Sequence, residues 1–198
     1  FRYDPRRRHG PWPLRGWGFG HFDLPRALDG GLSGAMLSIT TFPFRTARGR
    51  WRALLSNLER LRGLLASSSG GLRLARTLAE YRAARARGAI ACLPAVQGAN
   101  CLDGALMGPL DVPERLLTRA TLMHLTNSRI GATSGPWGRL RRYKGLTARG
   151  RALVERLGEA RVFVDLAHAH PESFWDAVDA HDGRLPLLST HTGVSGVY

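Results

Sequence analysis

At 198 residues, 43% of them hydrophobic and 22% charged, the chain has the make-up of one globular domain over residues 1–198 with a sizeable core, which excludes a disordered tail or a fibre. No apolar run approaches the roughly 20 residues that cross a bilayer, so stable membrane insertion is not expected; bacterial cytoplasm, periplasm and secretion all stay open as the compartment. The formal charge of +14 raises nucleic acid as a partner, but only Lys144 of the 29 basic residues is a lysine, and the dense runs Arg6-Arg7-Arg8 and Arg139 to Arg142 carry no interleaved aromatics for bases to stack on. No nucleic-acid partner is therefore expected.

Residues 1 to 20, rich in Arg, Gly, Pro and Trp, show no period of either kind and read as an irregular entry segment. His21 to Pro25 leads through Asp29-Gly30-Gly31 into an apolar strand, Ala35 to Thr40. After Pro43, Trp51, Leu54, Leu55, Leu58, Leu61, Leu64 and Leu65 recur at three and four residues and predict a helix that Ser67 to Gly71 ends. A second helix is expected from about Leu74 to Arg87, with Leu74, Leu78 and Tyr81 inward and Gly88 as its stop. Ala89 to Val96 is the next strand, ending at Gln97-Gly98. Cys92 within it reads as a small buried hydrophobe, and two cysteines imply neither a disulfide framework nor a cysteine zinc site.

A loop and short helix opened by Pro113-Glu114 precede a strand from Thr118 to Leu122, which runs out at Met123-His124-Leu125-Thr126-Asn127. The long loop Ser128 to Gly145 has the length and glycine content of functional loops. Thr147 caps a helix to about Leu157, with Leu153, Val154 and Leu157 inward. The strand Val162 to Leu166 stops at Ala167-His168. A helix from Pro171-Glu172, burying Phe174, Trp175 and Val178, joins it to a last strand, Leu185 to Leu188, that stops at Ser189-Thr190-His191. Strands joined by helices of this length lie parallel, so the fold class is α/β with right-handed crossovers.

Four successive strand ends then carry Gln97, His124, His168 and His191. Parallel α/β folds gather their chemistry at those ends, and in a (β/α)₈ barrel they surround one mouth. Several imidazoles there suit a metal-assisted hydrolase, in which a bound cation makes hydroxide available near neutral pH. Asp165 lies inside its strand and reads as a support for a neighbour.

The segments Gly145-Leu146-Thr147, Val162 to His168, Phe174 to Val178 and Thr190-His191-Thr192-Gly193 resemble the membrane dipeptidase (renal dipeptidase-like) family, peptidase family M19 of the amidohydrolase superfamily. His21 to Ser38, Val96-Gln97-Gly98 and Leu122 to Asn127 match further family segments in the right order. The resemblance implies a metal-dependent hydrolase of the (β/α)₈ TIM-barrel type that binds one or two zinc ions. Its substrate would be a dipeptide or small amide, cleaved at the peptide bond by a metal-activated hydroxide. It also implies His191 as a ligand of the second zinc, His124 as the histidine that polarises the carbonyl, and His168 and Asn127 as lining the site. A homodimer is left open.

Three departures qualify that picture. The family's bridging glutamate is Gln97 here, a poorer bridge than a carboxylate. His21-Phe22-Asp23 has the spacing of the family's first-strand His-x-Asp pair and is kept as site-lining, yet its flanking residues match a later segment, which puts the pair before Phe1. The chain also stops at Tyr198 after its fifth strand, while a barrel takes about 250 residues. The expectation is an incomplete, partial barrel whose open strand edges make the isolated 198 residues poorly soluble or prone to associate, with doubtful activity by itself. The rival reading is a non-catalytic homologue whose degenerate site, marked by Gln97, serves binding alone.

Overall fold

A computed structural model of the chain describes residues 4–9 and 22–192. The expected irregular entry over 1–20 therefore lies outside the described residues except for 4–9, and His21 and Gly193 lie outside them too. The chain divides into two compact units, Phe1–Met36 with Glu59–Leu93, and Leu37–Leu58 with Pro94–Tyr198. The strand order is β1-β3-β4-β5, with β2 beside β3; β1 is Gly34–Thr40, β2 Leu72–Leu74, β3 Ile90–Gln97, β4 Arg119–Thr121 and β5 Phe163–Asp165. Among the described residues no helix is long and apolar enough to cross a membrane.

In the first unit a short helix not expected from the sequence, α1 (Leu24–Asp29), precedes the Gly30-Gly31 turn and is capped by Asp23, whose side chain accepts from Arg26 N. The helix expected from Leu74 starts later. Thr77 and Glu80 form a capping box that opens α3 (Leu78–Ala86). The residues before it become β2, parallel to the start of β3 with Leu72 opposite Ile90. Leu78, in the first turn, is exposed rather than inward; Tyr81 packs instead against a cluster of Ala75, Ala84, Ala89 and Ala91. The second half of α2 (Ala47–Ala66) also belongs to this unit.

In the second unit the strands β3, β4 and β5 pair in parallel, and one isolated antiparallel bridge joins Thr133 to Ala169. Gln97 is opposite Thr121, Thr121 opposite Asp165, and Asp165 bridges to Leu188. The expected strand Leu185 to Leu188 contracts to that bridge, with Leu188 N donating to Val164 O at 2.9 Å and Leu166 N to Leu188 O at 2.8 Å. Since side chains alternate along a strand, Val96, Ala120 and Val164 share one face and are fully buried, while Gln97, Thr121 and Asp165 stand at one level on the other. Arg119, two residues before Thr121, shares that second face.

Helix α4 (Ala148–Glu159) has the expected cap, Gly150 N donating to Thr147 Oγ1 at 3.1 Å, and buries Leu153, Val154 and Leu157. Gly150 sits so close beneath the Ile130 carbonyl that a Cβ there would collide with it. In α5 (Pro171–Ala180) Trp175 is 64% exposed, against the expected burial. The buried stripe is Ser173 and Ala177, one turn apart and small enough for close packing. The Ser173 hydroxyl accepts from Ala132 N and donates to Lys144 O.

Candidate functional site

The register of the second unit places its polar residues. Gln97, Thr121, Asp165 and Leu188 stand at one level, and His124, His168 and His191 each follow three residues past the last three of these. Gln97 Nε2 lies 3.2 Å from His168 Nε2 and 3.0 Å from His191 Nε2, and the two imidazole nitrogens are 2.8 Å apart. The rings of His168 and His191 meet edge to face at 4.7 Å between centroids, and His124 meets His168 in the same way at 5.1 Å.

This cluster is held from behind. His168 has φ +64°, a left-handed conformation that costs a non-glycine residue about 1–3 kcal/mol. Its carbonyl accepts from Ser134 N at 2.8 Å. Thr133 Oγ1 lies 2.6 Å from His124 O and 3.1 Å from His168 O, so the loop after β4 ties the backbones of both histidines together. Asn127, expected to line the site, fastens this loop instead: its Oδ1 accepts from Thr133 N at 3.1 Å, and its Nδ2 donates to Trp137 O.

Beneath the histidines, in the sheet, lies a buried ion pair that the sequence reading missed. Arg119 and Asp165 are 5% and 0% exposed in their side chains and joined directly. Asp165 Oδ2 also accepts from Thr121 Oγ1 at 2.7 Å and Thr190 Oγ1 at 2.8 Å, and Oδ1 from Thr190 N at 3.1 Å and Ala167 N at 3.2 Å. Burial by itself raises the carboxyl, but these donors outweigh it and hold Asp165 below the usual carboxylate range. The signal for this pair was one charge in each of two otherwise uncharged strands.

Burial lowers the His124 imidazole below its ordinary value, helped by the neighbouring His168 and His191. Burial also lowers His168, helped by His191 and opposed by Asp165. Both are neutral ring donors at pH 7. In the unfolded chain these rings take up protons near pH 6.5, so below that pH the unfolded state binds more protons than the folded one. The histidine contribution is therefore fully present above about pH 6.5 and lost as pH falls toward the depressed folded values. A urea-unfolding series from about pH 8 to about pH 5 should show the midpoint falling below about 6.5, and the His124→Ala/His168→Ala chain should lose that part of the slope.

The remaining candidates lie elsewhere. Asp23, in the first unit, is fully buried and spent: one oxygen caps α1, the other accepts from Arg26 Nε at 2.6 Å and His9 N at 3.0 Å. Cys92 and Cys101 are buried, which pushes both thiols up to about 12 and keeps them out of nucleophilic chemistry at neutral pH. A cavity of about 250 Å³ is lined by Leu102, Asp103, Arg149, Leu153 and Arg156 among others, but Asp103 there is taken up by Arg50 and Arg149.

Among the described residues no three His, Cys, Asp or Glu side chains converge as a metal site; the convergent set is two imidazoles and an amide. That set still fits one cation. Tetrahedral zinc with bonds of about 2.0 Å keeps its donor atoms roughly 3.3 Å apart, and the three atoms here stand 2.8–3.2 Å apart. Rotating the Gln97 amide exchanges its donor NH₂ for its carbonyl oxygen, which is a metal ligand. A second cation finds no bridging carboxylate in this set, because Asp165 is fully engaged with Arg119, two threonines and the backbone.

The fold recurs in known proteins. In the solved structures the chain is similar to the dipeptidase AC, a metallopeptidase of family M19, at 26% identity and a TM-score of 0.74, covering 90% of this chain and 56% of that one. It is also similar to a metallopeptidase from Rhodobacter sphaeroides solved with a phosphinate mimic of L-Ala-D-Ala, at 23% identity and a TM-score of 0.74, over 88% and 57% of the two chains. A curated relative, the uncharacterized protein in the pqqA 5′ region of Klebsiella pneumoniae, is 27% identical over 143 residues, 70% of this chain and 51% of its own length. The chain thus spans about half the length of the relatives it matches, with the partial-barrel α/β fold of the M19 dipeptidases. The model of the membrane dipeptidase family matches residues 15–198, and with that match over nearly the whole sequence the chain belongs to the membrane dipeptidase family, peptidase family M19.

Proposed function

We propose that this chain carries part of the active centre of a metal-dependent dipeptidase, with Gln97, His168 and His191 holding a divalent cation, zinc by its donor set, and His124 beside it. The observation that carries the reading is the meeting of those three donor atoms within 2.8–3.2 Å of one another at successive strand ends. Two imidazole lone pairs 2.8 Å apart repel unless a proton or a cation lies between them, and with the Gln97 amide turned to present its oxygen a single cation suits all three donors together. Such a cation supplies Lewis acidity, polarising a carbonyl oxygen and making water more acidic. His124, neutral and half-buried, presents a ring N–H that donates to the scissile carbonyl oxygen and to the oxyanion that develops there. Dipeptides are the substrate class, in keeping with the relative that was solved with a dipeptide mimic.

The test is metal analysis after equilibrium dialysis, followed by a dipeptide hydrolysis assay with and without chelator. One cation per chain and chelator-sensitive hydrolysis support the reading; hydrolysis that survives chelation ends it. The second reading, a non-catalytic homologue that binds without cleaving, is favoured by one observation, the neutral Gln97 where the family has a carboxylate. It expects no stoichiometric metal. Stoichiometric metal in the unaltered chain separates the two, and under either reading the substitution Gln97→Glu should raise zinc affinity by on the order of tenfold or more, since an anionic donor then stands at this convergence. Isothermal titration with zinc checks it, and an unchanged affinity would remove Gln97 from the ligand set.

A further inference from the structure

The hydrogen-bond chain behind His191 has a direction that can be worked out atom by atom. Asp165, paired with Arg119, is a carboxylate and only accepts. Thr190 has one hydroxyl proton, and its Oγ1 lies 2.8 Å from Asp165 Oδ2, so that proton is committed to the carboxylate. The same Oγ1 lies 2.8 Å from His191 Nδ1 and, with its proton spent, accepts there. His191 Nδ1 must then carry the ring hydrogen, and Nε2, the atom that meets Gln97 and His168, is left with its lone pair. Thr190 is gripped at two points, its amide also donating to Asp165 Oδ1 at 3.1 Å, so rotation of the hydroxyl away from the carboxylate would give up a hydrogen bond to a buried charge.

From this we infer that Thr190 and Asp165 are positioning residues: the relay Asp165–Thr190–His191 locks His191 in the Nδ1–H tautomer and aims a bare Nε2 at the convergence of ligands before any cation arrives. Arg119 and Thr121 anchor the relay from below. Arg119 holds the carboxylate ionised, and Thr121, accepting from Arg119 Nη1 at 2.6 Å, directs its own proton to Asp165. The inference rests on the metal reading only for its purpose, since the tautomer itself is a property of the chain without metal. Outer-shell partners of this kind typically change metal affinity 10–100-fold when removed.

The test is nitrogen-15 NMR of the histidine rings in the metal-free chain near pH 8, with the His191 signals assigned by their absence in His191→Ala. The expected result is a protonated Nδ1 and a bare Nε2 at His191. In Thr190→Val that preference should relax to a mixture of tautomers and zinc affinity should fall 10–100-fold, while Thr190→Ser, which keeps the hydroxyl, restores both. A protonated Nε2 at His191 in the unaltered chain, or a Thr190→Val chain with unchanged tautomer and zinc affinity, overturns the inference. If the tautomer is as expected and zinc still does not bind, the relay stands and the metal reading of the previous section fails, so the two failures are told apart by the wild-type spectrum and titration alone.

Discussion

Replacing Asp165 with alanine should cost the chain about 3–5 kcal/mol of stability, because it leaves the Arg119 guanidinium buried without its counter-charge. For a chain of this size about 2–4 °C of melting temperature goes with each kcal/mol, so the melt should move down by roughly 6–20 °C or lose its cooperativity. The loss is larger than a surface ion pair gives because neither partner has water to fall back on: the side chains of Arg119 and Asp165 are 5% and 0% exposed. Four further donors, the Thr121 and Thr190 hydroxyls and the Thr190 and Ala167 amides, lose their acceptor in the same substitution. Asp165→Asn should fall between, keeping the volume and part of the hydrogen bonding but not the charge. The double replacement Arg119→Met/Asp165→Leu should recover much of the stability, since an apolar pair of similar volume avoids desolvating two ions. A melt in which the double replacement is no better than Asp165→Ala would show that the cost lies in the threonine and backbone contacts and not in the orphaned charge.

The same pair shows how far the sequence could be read. Helix α4 was legible down to its cap, because Thr147, Leu153, Val154 and Leu157 make contacts whose spacing is set by the helix itself. The strand ends were legible for a similar reason. An apolar run that stops at a polar residue says where the sheet ends, and His124, His168 and His191 sit three residues past a common level because parallel strands in register end together. What escaped were features decided by tertiary contact. β2 is three residues long and exists because Leu72–Leu74 finds Ile90–Cys92 beside it. Asp165 was legible as a support for a neighbour, but only the register of β4 against β5 makes Arg119 its partner. His168 belonged to a recognised motif without an assignable role, because its orientation depends on a left-handed backbone held by Ser134 and Thr133, residues of a loop that sequence alone cannot place. Asn127 was expected at the site on its neighbourhood in sequence, yet its amide spends both ends on fastening that same loop.

The second large effect separates the three histidines by role. His191→Ala and His168→Ala should each abolish stoichiometric zinc binding, because each removes one of the three donors that converge among the described residues, and a cation left with one imidazole and a neutral amide keeps little advantage over water. The expected loss in affinity exceeds the 10–100-fold that outer-shell changes produce. His124→Ala should behave differently. Its ring touches the site through the edge of His168 at 5.1 Å between centroids and has no contact with Gln97 or His191 short enough to be a shared ligand bond, so zinc affinity should stay within a few-fold of the unaltered chain. Hydrolysis, by contrast, should fall by about 10²–10³-fold, the usual result of removing one donor to a developing oxyanion. Dialysis with metal analysis and a dipeptide assay on the three substituted chains distinguish these outcomes directly. Loss of zinc in all three would make His124 a ligand, and retention of zinc in the His168 and His191 variants would mean that the cation, if bound, is held by other residues. On the proposed function, this separation of binding from turnover at neighbouring histidines rests on the register, which puts two imidazoles and an amide on one point and leaves the third imidazole beside it.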